Sequence, residues 1–395
     1  MDKKIKILET LDSYFPDFNG PTVLVTNYAK ILNQKNDCSL LVPKYPNHED
    51  DQPFEIQHCK SMGIYEGFRC AFPFHDKKVK KFIKEGNFDI IHSHSPFPIG
   101  NFAAKMGKKL GIPTVVTLHT KFKDDILRLT KSKLITYFVM KYLLRTFNRT
   151  DYVWTVSNGA ADTLREYGYK GNIEVIRNGT DMKYPDNAEK LVSDVNKQYN
   201  LEGKKNVFLF VGRIVETKNL DMLLKALQIL KKDNLDFTFL LVGDGSHLEH
   251  LKKLAKELDI EDKVIFTGKV MDREKLSGFY LRSDLFLFPS IYDTASLVPL
   301  EAASMKLPTL LVEGCQTSET ITDNFNGFTA KNDEESWSKR IKEIISEPEK
   351  LKEIKEECHK SVYRSWEMVL DEVNNRYLEI IEEYKSKKNN KKSKK

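Results

Sequence analysis

Arg213 and Lys218 follow directly on the apolar run NVFLFVG (206–212), five positions apart across Ile214-Val215-Glu216-Thr217. A guanidinium at a strand end and an ammonium at the start of the next helix can surround one phosphate group near the helix N-terminus. Taken alone, this is also what an ordinary surface pair looks like. A second segment, PSIYDTASLVPLEAASMKLP (289–308), sets Asp293 and Glu301 eight positions apart. Its small Thr294–Val298 stretch suits a loop entering a helix, so Asp293 falls in the loop and Glu301 about a turn inside. The start of that helix presents the amides of Ser296, Leu297 and Val298 to any anion. Gly243-Asp244-Gly245-Ser246-His247-Leu248 begins like a dinucleotide fingerprint, but leucine replaces the third glycine and the following acid is poorly placed, which argues against a nicotinamide site. His92 and His94 share one strand face. Without a neighbouring cysteine or a clear acidic partner they do not make a metal site in sequence.

These residues need elements that hold them. Short β-branched runs alternate with longer amphipathic segments, the pattern of parallel α/β units. One series of strands is expected at 5–10, 38–43, 88–94, 114–120, 152–157 and 173–179, and a second at 206–213, 237–245, 263–270, 283–290 and 307–314. Helical patterns such as 219–232 and 247–260 lie between them. The polar stretch 183–205 separates the two series and reads as a linker, and 334–384 is helical and charged with no further strand. Ligands of open parallel sheets bind at the carboxyl ends of strands, where Arg213 and Asp293 fall. The segment 121–149 interleaves leucine, isoleucine, phenylalanine and tyrosine with Lys121, Lys123, Lys131, Lys133, Lys141, Arg145 and Arg149. It fits a basic amphipathic helix on an anionic membrane surface, and equally a core-packed helix pair with solvated lysines.

The chain has 395 residues, 40% of them apolar and 11% aromatic, which excludes wholesale disorder and suits two domains. No apolar run reaches the roughly 18 residues that span a bilayer. The N-terminus lacks the apolar core of a signal peptide, so a cytoplasmic protein is expected. The net charge of +6 is a property of the last eleven residues, KSKKNNKKSKK, whose seven lysines leave the body nearly neutral. No nucleic-acid module is visible. Five cysteines at 38, 59, 70, 315 and 358 show no CxxC spacing, as expected for reduced thiols.

VGRIVETKNLDMLLKA, LLVGDG, VIFTG and DTASLVPLEAASMKLP, in this order, resemble the retaining family 4 glycosyltransferases of GT-B fold. The early Asn19-Gly20-Pro21 loop, DIIHSHSP (89–96), TLHT (117–120), VSNGAADTL (156–164) and VIRNGTD (175–181) fit the first half of that family. The resemblance implies two Rossmann-like doubly wound parallel-sheet domains, an N-terminal acceptor domain over 1–183 and a C-terminal nucleotide-sugar domain over 184–370, facing a central cleft. A helix over 371–384 would cross back onto the first domain, leaving 385–395 as a disordered lysine tail. By the same resemblance Arg213 and Lys218 hold the donor diphosphate in place of a metal ion, and Glu301 binds the ribose hydroxyls. Val270 meets the nucleobase through backbone atoms, Gly20 lets the backbone approach the diphosphate and sugar, and His94 lies near the sugar and acceptor. Two positions depart from the family pattern. Asp293 stands where a glutamate is usual, a shorter reach to the donor sugar, and Ser296 replaces a common glycine beneath the sugar–diphosphate.

The expected activity is retaining, metal-independent transfer of a hexose from a UDP-sugar to a hydroxyl acceptor in envelope glycolipid or polysaccharide synthesis. The acceptor, whether lipid, lipid-linked glycan or soluble sugar, is not named by the sequence. No cofactor is implied beyond the donor. An anionic membrane is a further expected partner, through 121–149 and the tail, at the inner face of the cell membrane. A GT-B epimerase or phosphorylase, or an inactive nucleotide-sugar-binding protein, is the competing reading.

Overall fold

The short β-branched runs form strands that pair in parallel within two separate sheets. The structure, a computed structural model, describes residues 4–16, 20–46, 48–65 and 68–392. The chain divides into two units, Met1–Arg177 with Trp366–Lys395, and Asn178–Ser365. The boundaries fall a few residues before the expected 183/184 and 370/371.

In chain order the first unit contains β1 (Lys6–Thr10), α1 (Gly20–Lys35), β2 (Asp37–Pro43), β3 (Glu55–Cys59), the antiparallel pair β4 (Ser61–Tyr65) and β5 (Phe68–Ala71), and α2 (Lys77–Glu85). It continues with β6 (Ile90–Ser93), α3 (Pro98–Leu110), β7 (Thr114–Leu118), α4 (Phe122–Thr130), α5 (Lys133–Arg149), β8 (Tyr152–Thr155), α6 (Asn158–Glu166) and β9 (Glu174–Val175). The sheet order is β3-β2-β1-β6-β7-β8-β9. Chain direction across the sheet therefore reverses between β1 and β6, the switch point where such folds open a crevice at the strand ends.

The second unit contains α7 (Ala188–Tyr199), β10 (Val207–Val211), α8 (Leu220–Lys232), β11 (Thr238–Val242), α9 (Leu248–Glu257), β12 (Val264–Gly268) and α10 (Arg273–Arg282). After these come β13 (Leu285–Phe288), α11 (Val298–Ser304), β14 (Thr309–Val312), β15 (Phe328–Ala330), α12 (Glu334–Ser346) and α13 (Pro348–Ser361). The order β12-β11-β10-β13-β14-β15 places its switch point between β10 and β13. β10 and β11 are buried along their whole length, as strands covered on both faces must be. The stretch expected as a linker is not all connection. Leu191 and Val195, one helical turn apart, are buried on α7, and Arg282 of α10 donates to the Leu201 and Lys204 carbonyls at 2.8 Å each.

The last helix, α14 (Trp366–Lys392), belongs to the first unit. Trp366, Val369, Leu370, Val373, Tyr377, Ile380 and Ile381 form one buried helical stripe. Lys35 pairs with Asp371 at 2.6 Å, and the Arg376 guanidinium grips both Glu174 oxygens at 2.8 Å. The helix thus starts before the expected residue 371 and runs on through 385–392, where a disordered tail was expected. The apolar stripe ends at Ile381, but lysine is a good helix former and the backbone simply continues. Residues 393–395 and Asn19 lie outside the described residues.

Candidate functional site

The second unit places Arg213, Lys218 and Asp293 at the β10/β13 switch point. Arg213 leaves β10 with an exposed side chain that makes no hydrogen bond or ion pair among the described residues. Lys218 closes a single 3₁₀ turn, Glu216–Lys218, before α8. Its ammonium is 2.6 Å from Asp293 Oδ2 and lies over the Phe288 ring, 5.2 Å from the centroid. Asp293, in the loop after β13, also accepts from the Ser290 hydroxyl at 2.5 Å. The spacing that suggested a basic pair thus places one cation already clasped by a carboxylate and the other exposed, with no side-chain partner among the described residues.

Glycine holds these loops in register. A Cβ on Gly243 would stand 1.9 Å from the Gly212 carbonyl oxygen, and one on Gly245 would stand 2.2 Å from that of Ile214. Both residues have positive φ, 152° and 159°, which glycine alone tolerates easily. The Gly-Asp-Gly run therefore packs the loop after β11 against the loop that carries Arg213. That is a structural use of the motif, distinct from dinucleotide binding.

Glu301 lies on α11 with only 8% of its side chain exposed. Arg273 donates to Oε1 at 3.0 Å and the Tyr280 hydroxyl to Oε2 at 2.9 Å, while the other arm of Arg273 pairs with Asp181. Burial opposes the charge on Arg273, but Glu301 and Asp181 outweigh it and raise its pKa above the usual value. Burial, then the Glu301 charge, pushes the Tyr280 hydroxyl well above the usual phenol range, so it stays a donor. Val270 lies in the loop after β12, three residues before Arg273, so the Arg273–Glu301 bridge ties that loop to α11. Ser296 and Leu297 precede α11, and Val298 begins it, with Leu297 at the cap position. A helix start leaves such amides without intrahelical partners.

Gly20 and His94 belong to the first unit. Gly20 opens α1, and a Cβ there would meet nothing within 4 Å, so local packing does not require glycine. His94 does not reach a ligand surface. Its side chain is wholly buried, with Nε2 2.7 Å from Glu9 Oε2 and Nδ1 3.0 Å from His119 Nε2. Tyr377 of α14 donates to Glu9 Oε1 at 2.9 Å and faces His92 Nδ1 at 2.5 Å, while His92 Nε2 meets the Thr117 hydroxyl at 2.7 Å. Burial pushes Glu9 up to about 8 and His94 down to about 3, and holds His92 and His119 well below the usual histidine range. At neutral pH protonated Glu9 then donates to His94 Nε2. The ring proton of His94 sits on Nδ1 and is given to His119.

Glu9 supplies the carboxylate neighbour for His92 and His94 that sequence did not reveal, and the three could hold an ion. Each donor atom is already engaged by a buried neighbour. Sequence reasoning also missed Arg273, Tyr280, Asp181 and His119. His119 follows β7 immediately, and scrutiny of polar residues just past strand ends, the same rule that singled out Arg213, would have found it.

Comparison with known proteins gives a consistent relationship. Residues 18–184 match the family described as Glycosyltransferase Family 4, and residues 193–361 match Glycosyl transferases group 1. An alpha-monoglucosyldiacylglycerol synthase of Streptococcus pneumoniae is 25% identical over 346 residues, 86% of this chain and 78% of the relative. A UDP-Gal:alpha-D-GlcNAc-diphosphoundecaprenol alpha-1,3-galactosyltransferase of Escherichia coli is 24% identical over 338 residues, 82% of each chain. Among solved structures, Anabaena Alr3699/HepE in complex with UDP superposes with a TM-score of 0.74 at 17% identity, covering 94% of this chain and 99% of the other.

Proposed function

This chain belongs to the family 4 glycosyltransferases and has their GT-B fold, and on that premise we propose that it moves a hexose, with retention, from a UDP-sugar to a hydroxyl of a membrane-associated acceptor. The observation that carries the reading is the pair of cations at the β10/β13 switch point, exposed Arg213 and clasped Lys218. A leaving diphosphate gathers negative charge as the glycosidic bond breaks, and fixed cations beside it act most strongly in the transition state. Arg213, Lys218 and the amides of Ser296, Leu297 and Val298 take that role. Glu301, aimed by Tyr280 and Arg273, accepts from the ribose hydroxyls, and the Val270 backbone meets the base. Asp293 aligns Lys218 and lies beside the donor sugar. Gly20, exposed at the start of α1, leaves its backbone open to a ligand, and His94 is a positioning residue for His119. UDP as the nucleotide is supported by the UDP-bound neighbour and by the UDP-galactose-using relative.

Screening nucleotide sugars by thermal shift, followed by transfer assays with radiolabelled donor, tests the reading. Stabilisation by UDP and a UDP-hexose is expected, with transfer that persists in excess EDTA because two cations neutralise the leaving group. An absolute need for added Mg²⁺ or Mn²⁺ would overturn the metal-independent mechanism. Stabilisation without transfer to any acceptor would leave a binding protein.

A membrane acceptor is supported by the outer face of α4 and α5. Thr136, Met140, Leu143 and Phe147 form the buried stripe of α5, yet Leu129, Leu134, Ile135, Tyr137 and Phe138 are 50–66% exposed. Lys131, Lys133, Lys141 and Arg145 surround them, also exposed. The inner face of this segment packs, and the outer face carries exposed apolar side chains among cations, a composition suited to an interfacial surface. No helix among the described residues is long and apolar enough to cross a membrane. Co-sedimentation with anionic vesicles is expected at low salt and should fade as salt rises. Replacing the four cations by glutamine should weaken it strongly, since each contributes on the order of 1 kcal/mol at such a surface. Failure of the intact protein to bind at low salt would favour a soluble acceptor.

A further inference from the structure

Three donor side chains meet outside the proposed donor site, where the starts of α8 and α9 lie side by side. Asp221 is in the first turn of α8, His247 caps α9 and His250 is in its first turn. His247 Nε2 is 2.7 Å from Asp221 Oδ1, and His250 Nε2 is 2.7 Å from Oδ2. The rings lie 4.4 Å apart, tilted by 34°. One ligand atom from each residue falls within 4.8 Å of the other two. We propose that Asp221, His247 and His250 form a surface site for a divalent transition-metal ion of the zinc class.

The chemistry follows from what faces what. Two imidazole nitrogens converge on one carboxylate. Without an ion, each needs its own Nε2 proton to avoid opposing lone pairs. One divalent ion replaces both protons, with the ring protons moving to Nδ1, and takes two nitrogens and an oxygen with open positions left for water. Imidazole and carboxylate together suit Zn²⁺, Co²⁺ or Ni²⁺ better than Mg²⁺ or Ca²⁺. Solvent can deliver the ion, because His250 is 51% and Asp221 40% exposed on their side chains. The Glu9–His92–His94 group offers similar atoms but is sealed and fully satisfied. The surface group also has a mechanical connection. The His247 amide donates to the Ile214 carbonyl at 3.0 Å, and Asp221 lies three residues beyond Lys218. An ion here would pin α8 to α9 behind the loop carrying Arg213 and Lys218, acting as a brace outside the reaction itself.

The test uses the full, untagged chain stripped of metal. Zinc at about tenfold its Kd should raise Tm by roughly 2 °C, and Co²⁺ should give a visible d–d absorption saturating at one ion per chain. His250→Gln and Asp221→Asn should each weaken Co²⁺ binding at least tenfold, while keeping the parent Tm in EDTA as evidence of folding. Absence of both the Tm shift and the 1:1 cobalt spectrum would overturn the site, as would affinity unchanged in both variants, which would put the ion elsewhere. Transfer activity in EDTA reads the glycosyltransferase assignment separately, so either can fail alone.

Discussion

Replacing Arg213 by alanine is expected to cut turnover by roughly 10²-fold or more, the usual loss when one fixed charge opposite a developing anion is removed. Arg213 is exposed and makes no hydrogen bond or ion pair among the described residues, so the fold should not notice. Lys218→Ala should cost as much in turnover, with a different structural consequence. Its ammonium is the 2.6 Å partner of Asp293, and removal leaves that carboxylate beside the incoming diphosphate with only the neutral Ser290 hydroxyl still donating to it. Donor binding should therefore weaken more in the lysine variant, and Lys218→Ala with Asp293→Asn should recover part of that loss. Steady-state transfer with varied donor separates the two effects, since a contact made only in the transition state lowers kcat and a ground-state contact raises KM. Near-parental turnover in either single variant would remove that residue from the mechanism.

The parts of the molecule that sequence revealed are those carried by local pattern. Alternating β-branched runs and amphipathic segments announce two parallel sheets, and the strand-end rule picks out Arg213 and Asp293. β3 and β15 escaped it. β3 is half exposed, with sequence EIQHC, and β15 has only three residues, too short for a periodic signal. The tertiary partners were invisible for a different reason. Tyr280 and Arg273 reach Glu301 from another helix, and Tyr377 stands 368 positions from the Glu9 it contacts. Nothing in local composition encodes such distances. His94 depends on distant neighbours too. The resemblance places it near the sugar and acceptor, and one residue past β6 its ring is buried with His92 against Glu9 and His119, partners that only the packed structure shows.

That inward cluster sets how the protein should respond to pH. Burial raises Glu9 from 4.5 to about 8, so between those values the folded chain holds a proton that the unfolded chain has released. Stability must fall as pH rises through that window. His94, lowered from 6.5 to about 3, has the opposite sign, and so do His92 and His119. The unfolded chain binds those protons first, so stability rises with pH up to 6.5. Asp12, raised by burial from 3.8 to about 6, subtracts from the rise only below that value. Three histidines outweigh two carboxyl groups under acidic conditions, and their unfolded-state protons are still leaving just above 6.5. This core should therefore be most stable near pH 7, while the proton held by Glu9 by itself subtracts roughly 1–2 kcal/mol between pH 6.5 and 8. Glu9→Gln provides the decisive comparison. Its amide nitrogen can donate to His94 Nε2 as the protonated carboxyl does, and its oxygen can accept from Tyr377, but it cannot titrate. Urea unfolding at pH 6.5, 7.25 and 8 should show the variant's stability still rising as the unfolded histidines lose their protons, while the parent's stays about level and then falls. Equal slopes would mean that Glu9 is already ionised against His94 at neutral pH, and the neutral hydrogen-bond chain from Tyr377 to His119 would have to be abandoned.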